Sequence, residues 1–191
     1  MDWIKRALLC CSVLVMSGCL LPDKYDATIT LAANGAYEAT LDGEGTMVLA
    51  YADYQKPNAN KAALDKSMTD FEKQVNDKSY SIKHRGNALF DVKYREDGTL
   101  AKNGSKSMFF EFIKLSNSNG TYTIRLSEFN KGDQNGLKKG GLKSVGTICI
   151  KTDMTVLEHN ADDKPGFFNK CYKWRDFNAL SARTIVFKAK A

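Results

Sequence analysis

The sequence predicts an α+β domain that is predominantly antiparallel β: a sandwich or partly closed barrel of about nine or ten strands with one amphipathic helix. Three observations carry this reading. Many short runs alternate apolar and polar residues, as in Phe90, Val92 and Tyr94 against Asp91, Lys93 and Arg95. Turn pairs such as Asn34-Gly35 and Asp97-Gly98 separate them. Only between Asn58 and Asp77 does the period become helical, with Leu64, Met68, Phe71 and Val75 forming one apolar stripe.

Residues 26–32 read as the first strand, and Asn34-Gly35 turns the chain into a return strand over 36–41. Asp42-Gly43-Glu44-Gly45 reads as a second turn and 46–54 as a third strand, which together make a meander. Asn58 or Asn60 supplies the cap of the helix, whose stripe covers a sheet. Residues 79–83 and 88–95 are further strands. The β-prone runs 107–115 and 121–129 form a long central hairpin around the turn at 117–120. Residues 130–144, with four glycines and four lysines, read as a loop. Strands follow at 145–151 and 154–158, and 184–188 closes the fold. The aromatic and basic stretch 167–177 fits neither period.

The N-terminus has a different character. Lys5 and Arg6 precede an apolar run over 7–16. As a helix this run reaches only ~15 Å, half of a hydrocarbon core. It is a poor transmembrane span and a good signal-peptide core. The small pair Ser17-Gly18 then precedes Cys19. Met16-Ser17-Gly18-Cys19 resembles the lipobox of bacterial lipoproteins, with Met16 where that family usually has leucine. The resemblance covers only the leader, roughly a tenth of the chain. It implies cleavage after residue 18, diacylglycerol on the Cys19 thiol, and acylation of the new amino group with a chain such as palmitate. Each buried methylene contributes about 0.8 kcal/mol, so two or three chains anchor stably where one does not. Leu20 follows the cysteine where an aspartate would mark inner-membrane retention, so the resemblance implies the outer membrane, on its periplasmic side or its surface. Residues 19–25, with Pro22, read as a lipidated tether, whose five residues 20–24 span less than ~20 Å. The single domain at 26–191 then sits close to the bilayer.

Charge and cysteine usage fit an exported protein. The net charge of +6 favours anionic partners such as phospholipid head groups or an anionic glycolipid, besides an envelope protein. Export disfavours nucleic acid. Of five cysteines, Cys10 and Cys11 leave with the leader and Cys19 carries lipid. Cys149 and Cys171 remain, an even pair in an oxidising compartment. A bridge between them closes a loop of about 22 residues and contributes roughly 3 kcal/mol in the chain-entropy picture. Two buried thiols or a redox site are the alternatives, but no Cys-x-x-Cys spacing supports redox chemistry.

No catalytic residue, metal site or cofactor is assigned. His84 and His159 are the only histidines, and both read as surface residues. Zincin and nucleophile-elbow motifs are absent. Gly136 and Gly141 have the first spacing of a P-loop, but Leu142 stands where the lysine must. Residues 131–142 fail as a calcium loop, because Lys131 and Leu142 occupy the end positions. Asp162-Asp163 reads as a solvated turn. Two surfaces remain. Lys131, Lys138, Lys139 and Lys143 could contact an anion or a membrane. Phe168, Tyr172 and Trp174, beside Phe167 and Phe177, could stack on a ligand or plug one end of the sheet. The sequence therefore points to a membrane-anchored envelope lipoprotein acting as a non-enzymatic binding or accessory module. A subunit of an envelope-spanning secretion or conjugation assembly, or an anchored hydrolase, are its alternatives.

Overall fold

The computed structural model describes residues 20–126, 129–167, 169–181 and 183–191. In chain order the elements are β1 (Leu20–Leu31), β2 (Ala36–Met47), α1 (Val48–Tyr54), α2 (Lys61–Val75), β3 (Tyr80–Gly86) and β4 (Leu89–Thr99). There follow β5 (Ser105–Met108), β6 (Ile113–Ser118), β7 (Thr121–Leu126), α3 (Lys131–Lys139), β8 (Val145–Thr152), β9 (Thr155–His159), β10 (Tyr172–Asn178) and β11 (Phe187–Lys190). The described residues form an α+β fold with eleven strands in two sheets, which do not close into a barrel. One sheet runs β10-β8-β1-β2-β4-β3, the other β5-β6-β7-β11-β9.

Period-2 alternation builds the core. Ala27, Ile29 and Leu31 of β1, Phe90 and Val92 of β4, and Ile148 and Ile150 of β8 point inward from the first sheet. Leu115, Ile124, Phe187 and Ala189 meet them from the second. Aromatic edges cross the gap, with Tyr25 against Phe112 at 5.6 Å and Trp174 against Phe187 at 6.4 Å. All pairings are antiparallel except β1 with β8, which run parallel from Tyr25↔Gly146 to Leu31↔Thr152. From β8 onward each successive strand joins the opposite sheet, so the last third of the chain stitches the two layers together. The Cys149–Cys171 disulfide pins β10 to β8.

The α2 helix forms as expected. Asn60 caps it by accepting a hydrogen bond from the Ala63 N–H, and Met68 and Phe71 are buried from its stripe. Elsewhere local signals yield to packing. Residues 42–45 do not turn; β2 runs straight through them, paired with β1 on one side and β4 on the other. Their glycines serve close approach: a Cβ at Gly43 would lie 2.6 Å from Tyr25 Cα, and one at Gly45 would lie 3.0 Å from Val92. Asp97-Gly98 likewise stays within β4. The third strand expected over 46–54 ends at Met47 and becomes α1, whose buried Ala50 and Tyr54 have helical spacing. The run 107–115 is cut between β5 and β6, where Phe109, Phe110 and Glu111 take φ values of 46°, 49° and 65° and Phe109 is fully buried. The 130–144 loop contains α3, and the unassigned 167–177 stretch contributes β10. Residues 20–25, read as a tether, are strand from Leu20 on, because Leu20 and Leu21 bury their side chains in the first sheet.

An ion pair links the two sheets. Glu96 of β4 pairs with Lys106 of β5 and accepts a hydrogen bond from the Tyr94 hydroxyl. Burial pushes this carboxyl up, but the bonds from Lys106 and Tyr94 outweigh it and hold the group below its usual 4.5. A carboxyl depressed on folding stabilises the protein above its unfolded pKa, and the contribution is lost as pH falls through the folded value. Glu96→Gln is therefore expected to lower the urea midpoint at pH 7. The gap from the unmodified protein should close below pH 4.5. Gly146→Ala tests the close approach of β1 and β8: its Cβ would lie 2.4 Å from the Tyr25 carbonyl oxygen. A loss of about 2–3 kcal/mol at unchanged m-value is expected in the same titration.

Candidate functional site

Among the described residues, one end of the sandwich is not closed by strand. There β7 stops at Leu126, β10 stops at Asn178, and the chain passes Ile185 before entering β11. Leu126, Phe177 and Ile185 are buried and form the floor of a cleft of about 200 Å³, with half-buried Phe129 beside them. Arg125, Lys131 and Arg183 line the same cleft from exposed positions. Alternation explains Arg125, which sits between inward Ile124 and Leu126 on β7 and so points outward.

Lys131 is delivered by α3. Asn130 caps this helix by accepting from the Asp133 N–H; Asp133 lies in the first turn, Lys138 and Lys139 in the last, the favourable order for the helix dipole. The Gln134 side-chain amide donates to the carbonyl oxygens of Phe129 (2.9 Å) and Ser181 (3.3 Å), which ties α3 across the cleft to the segment after β10.

The three cations differ in their commitments. Arg183 donates to the Asp162 carboxylate at 2.6 Å, and the Arg175 backbone N–H donates to the same group at 2.8 Å. Burial raises the Asp162 carboxyl, but these two partners prevail and hold it below the usual range. Asp163 pairs with the Arg175 guanidinium, so the acidic turn is an arginine clamp and not a solvated pair. Arg125 and Lys131 make no side-chain hydrogen bond or ion pair among the described residues. Arg125 also borders a shallow polar depression on the outer face of the second sheet, beside Lys114, Ser116 and Thr123.

Of the four lysines singled out by the sequence, Lys131 alone reaches the cleft. Lys138 and Lys139 lie in the last turn of α3 and Lys143 follows it, all exposed. Lys138 and Lys139 thus sit on a capped helix, and Lys143 in the segment between that helix and β8. The aromatic ligand surface is corrected. Trp174 is fully buried on the inward side of β10, and its indole N–H donates to Asn160. Tyr172 is half-buried against His159 and Phe187. Phe168 and Cys19 lie outside the described residues. The histidine expectation also needs correction for His84. Its side chain is 9% exposed, packs on Phe90, and has Nε2 3.8 Å from Asp65 with no hydrogen-bond partner among the described residues. Asp65 itself accepts from the Tyr54 hydroxyl at 2.6 Å. Among the described residues no three His, Cys, Asp or Glu side chains cluster as metal ligands. Nor is any helix there long and apolar enough to cross a membrane.

No family model and no curated protein matches the chain. Among solved structures it is similar to the NMR structure of the folded domain of the LppM protein of Mycobacterium tuberculosis. The TM-score is 0.40, with 10% sequence identity over 89% of this chain and 91% of that one.

The Gln134 bridge makes a local prediction. Gln134→Ala removes two hydrogen bonds of about 1 kcal/mol each. Amide hydrogen exchange in α3 is expected to accelerate about tenfold or more, with β1, β2 and β4 unchanged.

Proposed function

We propose that this chain is a bacterial envelope lipoprotein, held in the outer membrane by acyl chains on Cys19, whose β domain is a non-enzymatic binding module for an anionic amphiphile. The leader sequence supports the anchor: a short apolar run ends at Met16-Ser17-Gly18-Cys19. One observation carries the binding role. Two cations, Arg125 and Lys131, which have no side-chain partner among the described residues, stand over a buried apolar floor.

Each half of that arrangement has its own chemistry. A guanidinium offers paired donors that match two oxygens of a phosphate or carboxylate, and an ammonium adds a point charge. Leu126, Phe177 and Ile185 offer carbon surface to a chain attached to that head group. Pockets that enclose whole drug-sized ligands hold roughly 300–1,000 Å³. At about 200 Å³ this cleft takes a head group and a few carbons and leaves the remainder outside.

Dodecyl phosphate is a suitable probe, with dodecyl maltoside as its uncharged counterpart. Titration calorimetry is expected to give saturable binding of the phosphate that weakens with added salt. Arg125→Ala should raise its Kd about tenfold or more, the loss of one charge-assisted hydrogen-bonding partner. Arg125→Lys should fall between. Equal affinity for the two probes, or no response to Arg125→Ala, would sink the proposal.

A further inference from the structure

The start of β1 lies in a corner that the cleft does not use. Leu20 pairs with Met47, Thr46 pairs with Leu89, and the Met47 N–H donates to the Ala88 carbonyl at 2.9 Å. Four large hydrophobic side chains are exposed among the described residues: Leu49, Leu89, Leu157 and Phe167. Two of them flank this corner. Leu49 is 61% exposed in the first turn of α1, two residues beyond Met47, and Leu89 is 39% exposed at the start of β4. Single exposed leucines are ordinary, but two beside the point where the chain enters the domain are not scattered.

We infer that this corner is a bilayer-docking surface, in which Leu49 and Leu89 enter the head-group and acyl boundary beside the lipid on Cys19. The inference rests on the proposed anchor and specifies how the domain sits upon it. The argument is one of reach. Leu20 and Leu21 are buried strand residues, so no spacer separates Cys19 from the sheet. One residue spans at most ~3.6 Å. An acyl chain on Cys19 can enter the bilayer only if the Met47–Ala88 corner is brought to the lipid surface with it. Side chains exposed at that corner then lie at the depth where interfacial leucines reside, about 5–10 Å into the head-group region.

The register puts the mouth of the cleft at the same end. Tyr25 pairs with Gly146, Gly146 with Phe177, and the Ala179 N–H donates to the Ser144 carbonyl. The opposite end carries the Asn34-Gly35 and Asn119-Gly120 turns. An amphiphile leaving the membrane therefore meets the cleft without crossing the length of the domain.

The test uses the full-length lipidated protein in vesicles of phosphatidylethanolamine and phosphatidylglycerol carrying doxyl-labelled lipid. Leu49→Trp and Leu89→Trp place a reporter in the corner, and Leu157→Trp places one on β9 at the flank. The buried Trp174 signal of the unmodified protein is subtracted. Quenching about threefold greater at 49 and 89 than at 157 is expected. Equal quenching at all three sites, in protein that floats with the vesicles and carries acyl mass on its N-terminal peptide, overturns the docking surface and leaves the anchor standing. Protein that neither floats nor carries acyl mass overturns the anchor and the docking surface together.

Discussion

Tyr25 sits where three strands meet more closely than side chains allow. Gly43 of β2 lies against its Cα and Gly146 of β8 against its carbonyl and ring. Only the absence of a Cβ on both sides lets the tyrosine occupy the centre of the larger sheet. Its ring meets Phe112 edge-on and so reaches the turn between β5 and β6 of the second sheet. The arrangement has a cost. The hydroxyl is buried without a hydrogen-bond partner among the described residues, at about 1–3 kcal/mol, and burial together with nearby Asp23 pushes its pKa up. Ring burial and the parallel β1–β8 ladder offset it. That ladder joins the first strand of the chain to the last third, so the rest of the fold hangs on this contact.

The order of strands explains why the ladder needs support. After β8 the chain enters the second sheet, returns to the first and crosses again. Such non-local pairings must close long loops before they gain contacts. Two covalent or ionic ties reduce that burden. The Cys149–Cys171 bond fixes β10 beside β8, and Glu96–Lys106 joins the layers at the other flank. The cleft is a by-product of this topology. It opens where β7 and β10, on opposite sheets, both end, and α3 spans the opening.

Much of this was legible because local and global preferences agreed. Asn60, Met68 and Phe71 specify α2, and the alternation in β4 specifies both its strand and its buried face. The failures have physical causes. A glycine in a tight turn and a glycine that admits a neighbouring backbone look alike in sequence, so Gly43 and Gly45 suggested a turn that does not exist. Four glycines masked α3, although Asn130, Asp133, Lys138 and Lys139 together mark a capped helix. Leu20 and Leu21 read as part of a tether because nothing local reveals that a strand will accept them. Cys149 and Cys171 could be paired from compartment alone. Arg125, Lys131 and Arg183 could not be grouped, since they come from β7, α3 and the segment between β10 and β11, which meet only in the folded chain.

Hydrogen bonding on both edges of β1 has a mechanical meaning. The strand is flanked by β2 along nearly all of its twelve residues and by β8 along its second half. A pull applied at Leu20 along the strand axis cannot peel these ladders open bond by bond. It loads them in shear, and all must slip together before the strand moves. A domain entered through an interior strand thus grips that strand most firmly against a pull along its own axis.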